Sequence, residues 1–408
     1  SLRWSVPEML SDEWGIRRLM LARSVEEASE ALGQMPTPLN YIVVDTGGNI
    51  ARISTGYTPI RRTGDGSLPT PVGERDSWAG RIPPEHMPRQ VNPERDWVAA
   101  ANSRVTEADY PYPYSTYAAA SWRYRRLMEL FAKDGITAED HWAFTLDIKN
   151  PMAGLVMPHL LGALESDPAL EDIARILAEW DFMDATAQSA PAIFQSLYRH
   201  FAWRVFVDEL GEELAMEYLK GHYQWQENLV RKVQENGRDW FDDTTTPAVE
   251  TRDDLFRLAA HDAIEELSSL LGDNPRQWRW GDVHTVTFFH PLVPGAWGAR
   301  LLGGGVNPME GSGETLNRAI AAFDDPQHSK IIDSTRVVMD LSDPDKIEGH
   351  IPGGVSERLF DPHQQDSLAL WLAGKPGYWW FSDEAIKANT VETSTLVPGN
   401  TSIPDQVP

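Results

Sequence analysis

The chain has no cysteine. That excludes disulfides, thiolate metal sites and cysteine nucleophiles, and it leaves the compartment open, because many exported proteins also lack the residue. Positive charge is scarce: 36 Lys plus Arg stand against 61 Asp plus Glu, a formal net charge of −25. So acidic a chain is repelled by phosphate backbones and anionic lipid, which argues against nucleic-acid and membrane partners and for solubility. No apolar run reaches the ~18–20 residues of a membrane span. The HExxH, GxSxG and P-loop spacings are also missing. What is abundant is tryptophan, at 16 residues. It supplies flat apolar surface for a core or a groove. With 408 residues, 41% of them hydrophobic, the chain can bury a large core.

Near the start, Ser24 and Glu27 have the spacing of a capping box, and Val25, Ala28 and Leu32 then fall on one helical face. Asp45-Thr46-Gly47-Gly48 separates the β-rich runs YIVV and NIARIST, a hairpin signal. From about 58 to 93 proline and glycine are dense, and the stretch reads as a long irregular loop over a scaffold. From about 116 to 272 the pattern is helical: a capping box at Thr137, an Asp167-Pro168 helix start, and FQSLYRHFAWRVFVDEL, apolar nearly all round and so expected to be buried. After about 278 the pattern returns to β, with a strand core at 336–341 and with SLALWLAG and GYWWF as closing segments. Strands at both ends with helices between predict one α+β unit over 1–388, followed by a loose tail over 389–408. There is no internal repeat.

Several familiar constellations fail on spacing. GGGVNPMEGSG is glycine-rich but lacks the G-x-G-x-x-G order of a dinucleotide site. His284 and His290 share a strand face but lie ~20 Å apart by strand rise, too far to hold one metal, so structural hydrogen bonds are expected of each. Asp242-Asp243 and Asp324-Asp325 read as solvated loop charges, and nothing pairs two carboxylates as a glycosidase would need.

The order of segments is more informative than any one of them. YIVVDTGGNIARISTGYTPIRRTGDGSLPTP, DSWAGRIPPEHMP, VNPERDWVAAANSRV, DYPY and SWRYRRLMELF resemble the penicillin acylase family of N-terminal-nucleophile amidohydrolases. WRWGDVHTVTFFHPL, GGGVNPMEGSGETLN, VVMDLSDPD, IPGGVSERLFDPHQQDSLALWLAG and WWFSDEAI continue the likeness through nearly the whole chain. The resemblance implies the αββα sandwich of Ntn hydrolases with a large helical insertion. It also implies hydrolysis of an N-acyl amine such as a β-lactam, an acyl homoserine lactone or a lipopeptide, in the periplasm or outside the cell. The nucleophile would be a residue made N-terminal by autocatalytic cleavage. Its α-amine, with a pKa near 7.7–8.0, is a suitable base.

By the same resemblance Asn102 matches the asparagine whose side-chain amide helps form the oxyanion hole. Arg123 matches the arginine that holds that asparagine and the nucleophile's surroundings. An amide offers two uncharged donors, and a guanidinium offers five in a rigid fork. Gly66 matches a position whose carbonyl serves calcium in calcium-binding members. No cofactor is required, and calcium, which takes six to eight oxygens, would be structural. Ser1 with Trp4 has the Ser-x-x-Trp start of family nucleophiles, yet Pro7 interrupts any strand there and helix follows. The expected Asn-Gly-Pro-like turn and His-Asn stretch do not follow either. Leu2-Arg3-Trp4 therefore reads as an internal strand of a truncated large subunit, whose partners would be the small subunit and the remainder of the large one. The rival reading from another class is a non-catalytic exported binding protein with a Trp-lined cleft.

Overall fold

A computed structural model of the chain describes residues 3–9, 14–69, 78–221, 223, 225–237, 240–290, 293, 295–356, 358 and 360–395. Ser1 and Leu2 lie outside them; Arg3 and Trp4 are irregular, not strand, and lead into a 3-10 turn over Val6–Met9. Pro7 sits inside that turn, as a residue with a fixed φ and no N–H would. Helix α1 (Ile16–Leu21) follows Gly15, where a φ of 76° is required and a Cβ would meet the Ala31 carbonyl oxygen at 2.2 Å.

Helix α2 (Val25–Leu32) starts at Ser24, whose hydroxyl accepts from the Glu27 amide at 3.2 Å. The box is only half built, since Glu27 takes the Arg23 amide instead of that of Ser24. The stripe of Val25, Ala28 and Leu32 is buried, as its spacing predicts. Val25 and Leu32 pack with Met35, Ala51 and Ile53 on one face of a hairpin formed by β1 (Asn40–Val44) and β2 (Ile50–Ser54). Asp45 locks both parts together, accepting from the Asn49 amide in the turn at 3.0 Å and from the Val25 amide at the helix start at 3.1 Å. The stretch expected to be irregular carries three strands: β3 (Pro59–Arg61) pairs with β4 (Trp78–Arg81), and β5 (Arg89–Val91) joins β2. Pairing satisfies backbone groups that a loop lying on a scaffold would leave orphaned.

The middle is helical as read: α3 (Trp122–Leu130), α4 (Ala138–Thr145), α5 (Pro151–Leu164), α6 (Glu171–Ala178), α7 (Ala190–Lys220), α8 (Gln226–Glu235) and α9 (Arg252–Leu271). Thr137 caps α4 with a complete box, and Asp167 caps a single turn at Pro168–Leu170 that feeds α6. In α7 the side chains of Phe194, Phe201 and Phe206 are all but inaccessible, and Phe201 stacks on Phe256 of α9 with centroids 4.0 Å apart. The helix is broken at Gly211, where φ is 72°.

The C-terminal part mixes α10 (Trp280–Val283), β6 (Thr285–Phe288), α11 (Ala296–Leu302), β7 (Gly305–Pro308), β8 (Ala319–Ala322), β9 (Asp325–Ile332), β10 (Arg336–Met339), β11 (Ile347–His350), α12 (Leu368–Leu372), β12 (Tyr378–Trp379) and α13 (Asp383–Asn389). SLALWLAG is thus a helix, because Leu368 and Trp371, three apart, turn onto one buried face. Asp325 opens a strand and ion-pairs with Lys330, so it is not a solvated loop charge. The described strands form four sheets, ordered β1-β2-β5, β3-β4, β7-β6-β9-β8 and β10-β11-β12. The fold is α+β. Residues 390–395 have no regular structure, and 396–408 lie outside the described residues.

Candidate functional site

Asn102 and Arg123, 21 positions apart, meet. Asn102 sits in an irregular segment at φ 60°, a left-handed conformation that asparagine tolerates better than most residues. Its backbone carbonyl accepts from the Ala119 amide at 2.8 Å, which closes the segment into a loop. Arg123, in the first turn of α3, donates through Nη2 to Oδ1 of Asn102 and to the carbonyl of Ala101, each at 2.9 Å. A guanidinium can only donate, so the amide oxygen must face it. The Nδ2 hydrogens of this exposed residue are therefore turned away from Arg123. Of the neighbouring basic side chains, Arg125 bonds Ser121, and Arg126 makes a two-pronged bond to Asp147 at 3.0 and 2.7 Å.

The loop is pinned at further points. Arg52 of β2, buried, donates to the Val105 carbonyl at 3.2 Å. Arg95 donates to the Tyr124 hydroxyl at 3.2 Å and lies over the Trp97 ring at 4.1 Å. Behind Arg123 stands a group the sequence did not disclose. Burial, and then the positive charge of Arg318, push the Arg123 guanidinium down to about 10, against the opposing influence of Tyr223 and Glu314. It stays protonated at neutral pH. Arg318 packs over the Tyr223 ring at 5.1 Å, and its Nε and Nη2 are buried without a hydrogen-bond partner among the described residues. Only the GSGETLNR stretch hinted at it, as polar residues inside a glycine-rich turn.

Gly66 does not join this cluster. A Cβ there would meet the Arg61 guanidinium at 2.7–2.8 Å, so a cation already lies against it. The adjacent Asp65 carboxylate is taken up by the amide and hydroxyl of Ser67. Among the described residues no group of three or more acidic or histidine side chains is placed to hold a metal. His284 is buried and stacked on Trp280 at 4.2 Å, with Nε2 3.1 Å from the Ser329 hydroxyl, the structural role its sequence position suggested. Burial pushes it down to about 3, so it is neutral. A cavity of about 270 Å³ lies beside it, and neither Asn102 nor Arg123 lines that cavity.

Residues 1–388 match the penicillin amidase family. The chain belongs to the penicillin amidase family. It is similar to penicillin acylase 2 proenzyme of Pseudomonas sp. (strain SE83), with 29% identity over 371 residues that cover 88% of this chain and 46% of the relative. It is similar to the acyl-homoserine lactone acylase QuiP of Pseudomonas aeruginosa, with 25% identity over 401 residues that cover 88% and 46%. The chain thus spans about half the length of these curated relatives. Among solved structures, the thermostable penicillin G acylase of Alcaligenes faecalis superposes with a TM-score of 0.64 at 16% identity, over 96% of this chain and 74% of that one. That likeness carries the fold. Among the described residues no helix is long and apolar enough to cross a membrane.

Proposed function

We propose that this penicillin amidase family chain carries the side-chain half of an oxyanion hole in an exported acylase that hydrolyses N-acyl amines. The observation that carries this reading is the 2.9 Å bond from Arg123 to Oδ1 of Asn102, which fixes the amide and presents Nδ2 as a donor. In the reaction, a nucleophile's hydroxyl adds to the amide carbonyl and its proton passes to a base. The carbonyl oxygen, now an anion, accepts from Nδ2 of Asn102, and a preorganised donor of this kind is where such enzymes gain much of their rate. Collapse expels the amine with that proton, and water then cleaves the acyl ester. Asn102 is the catalytic residue and Arg123 a positioning residue. The nucleophile and the backbone donor are assigned outside the described residues. Ser1→Ala separates a nucleophile at Ser1 from one in another segment, such as a small subunit or the remainder of a large subunit.

Two variants test the role of Asn102, assayed in the gene product that carries this chain against N-acyl amines including penicillin G and an acyl-homoserine lactone. Asn102→Gly accepts the φ of 60° without strain and removes the whole side chain, the Nδ2 donor and the Oδ1 acceptor of Arg123 together. A kcat loss of ~10²–10³ is expected with unfolding stability little changed. Asn102→Asp keeps an oxygen facing Arg123 but offers no donor, and should lose as much. Retained turnover in either variant would refute the assignment.

A further inference from the structure

We propose that the 270 Å³ cavity between α7, α9 and the β8–β9 pair binds a small apolar amine, at a site separate from Asn102. The inference does not depend on the acylase reading. Leu219, Trp225, Trp280 and Phe323 supply apolar wall. Both indoles have spent their N–H groups elsewhere, Trp225 on the Leu219 carbonyl at 2.9 Å and Trp280 on that of Gly311 at 3.0 Å. They therefore offer flat surface with no polar demand of their own.

The polar lining is different in kind. Glu314 is buried, accepting from Gln226 Nε2 at 2.5 Å on one oxygen and from the Ser312 hydroxyl at 3.0 Å on the other. Each carboxylate oxygen has lone-pair capacity for a further donor. Tyr198 and His284 also line the cavity and are 3% and 1% exposed, yet the Tyr198 hydroxyl and the His284 Nδ1 have no partner among the described residues. Buried polar groups are paired in native proteins, and leaving one unpaired costs free energy. An amine head among these groups supplies donors to Glu314 and a partner for the orphans.

The charges at the cavity support a cation over an anion. Arg199, Lys220 and Lys330 each face an acidic partner, Glu266 at 2.7 Å, Asp324 at 2.9 Å and Asp325 at 2.5 Å. Glu314 accepts hydrogen bonds only from neutral donors, and Arg123, which acts on it electrostatically, does not line the cavity. His284, neutral because it is buried, adds no positive charge. The volume suits one aromatic ring with a short arm.

The test measures binding to the intact chain by calorimetry, with 2-phenylethylamine, 2-phenylethanol and 3-phenylpropionate as probes. The amine should bind saturably at one site, about tenfold or more tighter than the carboxylate, which would be set against the like charge of Glu314. Glu314→Gln should erase that preference while 2-phenylethanol still binds. Ala321→Phe, which fills the cavity from β8, should abolish amine binding while thermal unfolding shows a folded chain. Equal affinity for amine and carboxylate in the unmodified chain, no saturable amine binding, or amine binding that survives Ala321→Phe as attraction to an acidic surface would each overturn the proposal. The unmodified chain decides the matter even if Glu314→Gln fails to fold.

Discussion

The helical body and the loop around Asn102 are built by opposite means. Between α5, α7 and α9, Phe194, Phe201, Phe206 and Phe256 are each at most 1% exposed. Their position is dictated by apolar contact, which is strong in sum and indifferent to the exact partner. The loop buries little more than alanines, Ala99, Ala101, Ala119 and Ala120. Its course is set instead by donors from Arg52 and Arg123 to its carbonyls, and by left-handed conformations at Asn92, Asp96 and Asn102. Contact of the first kind gives stability. Directed bonds of the second kind give position, which a donor to a developing anion requires.

If that division holds, the two regions answer to different substitutions. The largest effect belongs to Phe256→Ala, which empties a fully buried site against Phe201 and should cost about 3–5 kcal/mol in denaturant unfolding, with turnover per folded molecule unchanged. Asn102→Gly should do the reverse: a transition-state loss of about 2.7–4 kcal/mol with stability within about 0.5 kcal/mol. A parallel loss of activity in the first variant, or of stability in the second, would break the comparison.

Smaller effects follow from titration in the helical body. Asp184, fully buried beside the α5 N-cap Asn150, is pushed up to about 7, chiefly by burial and then by the charge of Glu314, against the nearby Ser312 hydroxyl and hydrogen bonds from Asn150 and Gln195. A raised carboxyl pKa means its contribution is intact below the unfolded value near 4 and is lost as pH rises through 7. Asp184→Asn should therefore raise the melting temperature more at pH 8 than at pH 4. Glu266 of α9 moves the other way. Burial alone would raise it, but the His200 hydrogen bond, the Arg199 charge and the Ser196 hydrogen bond outweigh that and hold it at about 2. Its stabilisation is present above the unfolded value of 4.5 and falls away between there and pH 2. Glu266→Gln should flatten that part of an acid-unfolding curve. An unchanged curve would place the acid response elsewhere.

Much of the helical body was legible in the sequence, since capping residues and apolar spacing act locally. Thr137, Asp167 and the Val25-Ala28-Leu32 stripe behave as their neighbours dictate. α12 was misread because Leu368-Ala369-Leu370-Trp371 is a short continuous apolar run, which suits a buried strand and a helix alike, and only the burial of Leu368 with Trp371 selects the helix. The strands between 58 and 93 were hidden by the prolines around them, of which Pro59 alone lies in a strand, at the first position of a two-stranded ribbon that tolerates it. At the site, Asn102 and Arg123 were reachable only through the family's order of segments. Arg318 and Tyr223 act on Arg123 from distant parts of the chain, where no local pattern marks them. The cavity is likewise a tertiary product, with Trp225 and Trp280 brought together from separate helix starts.

The central claim is that Arg123 acts through Asn102. It is tested most directly by a double-mutant cycle on kcat/KM for an N-acyl amine, with Arg123→Leu, Asn102→Gly and the pair. The account predicts that Arg123→Leu is costly alone and adds almost nothing once the amide is gone, a coupling of about 1–3 kcal/mol. Losses that simply add, to within about 0.5 kcal/mol, would contradict it.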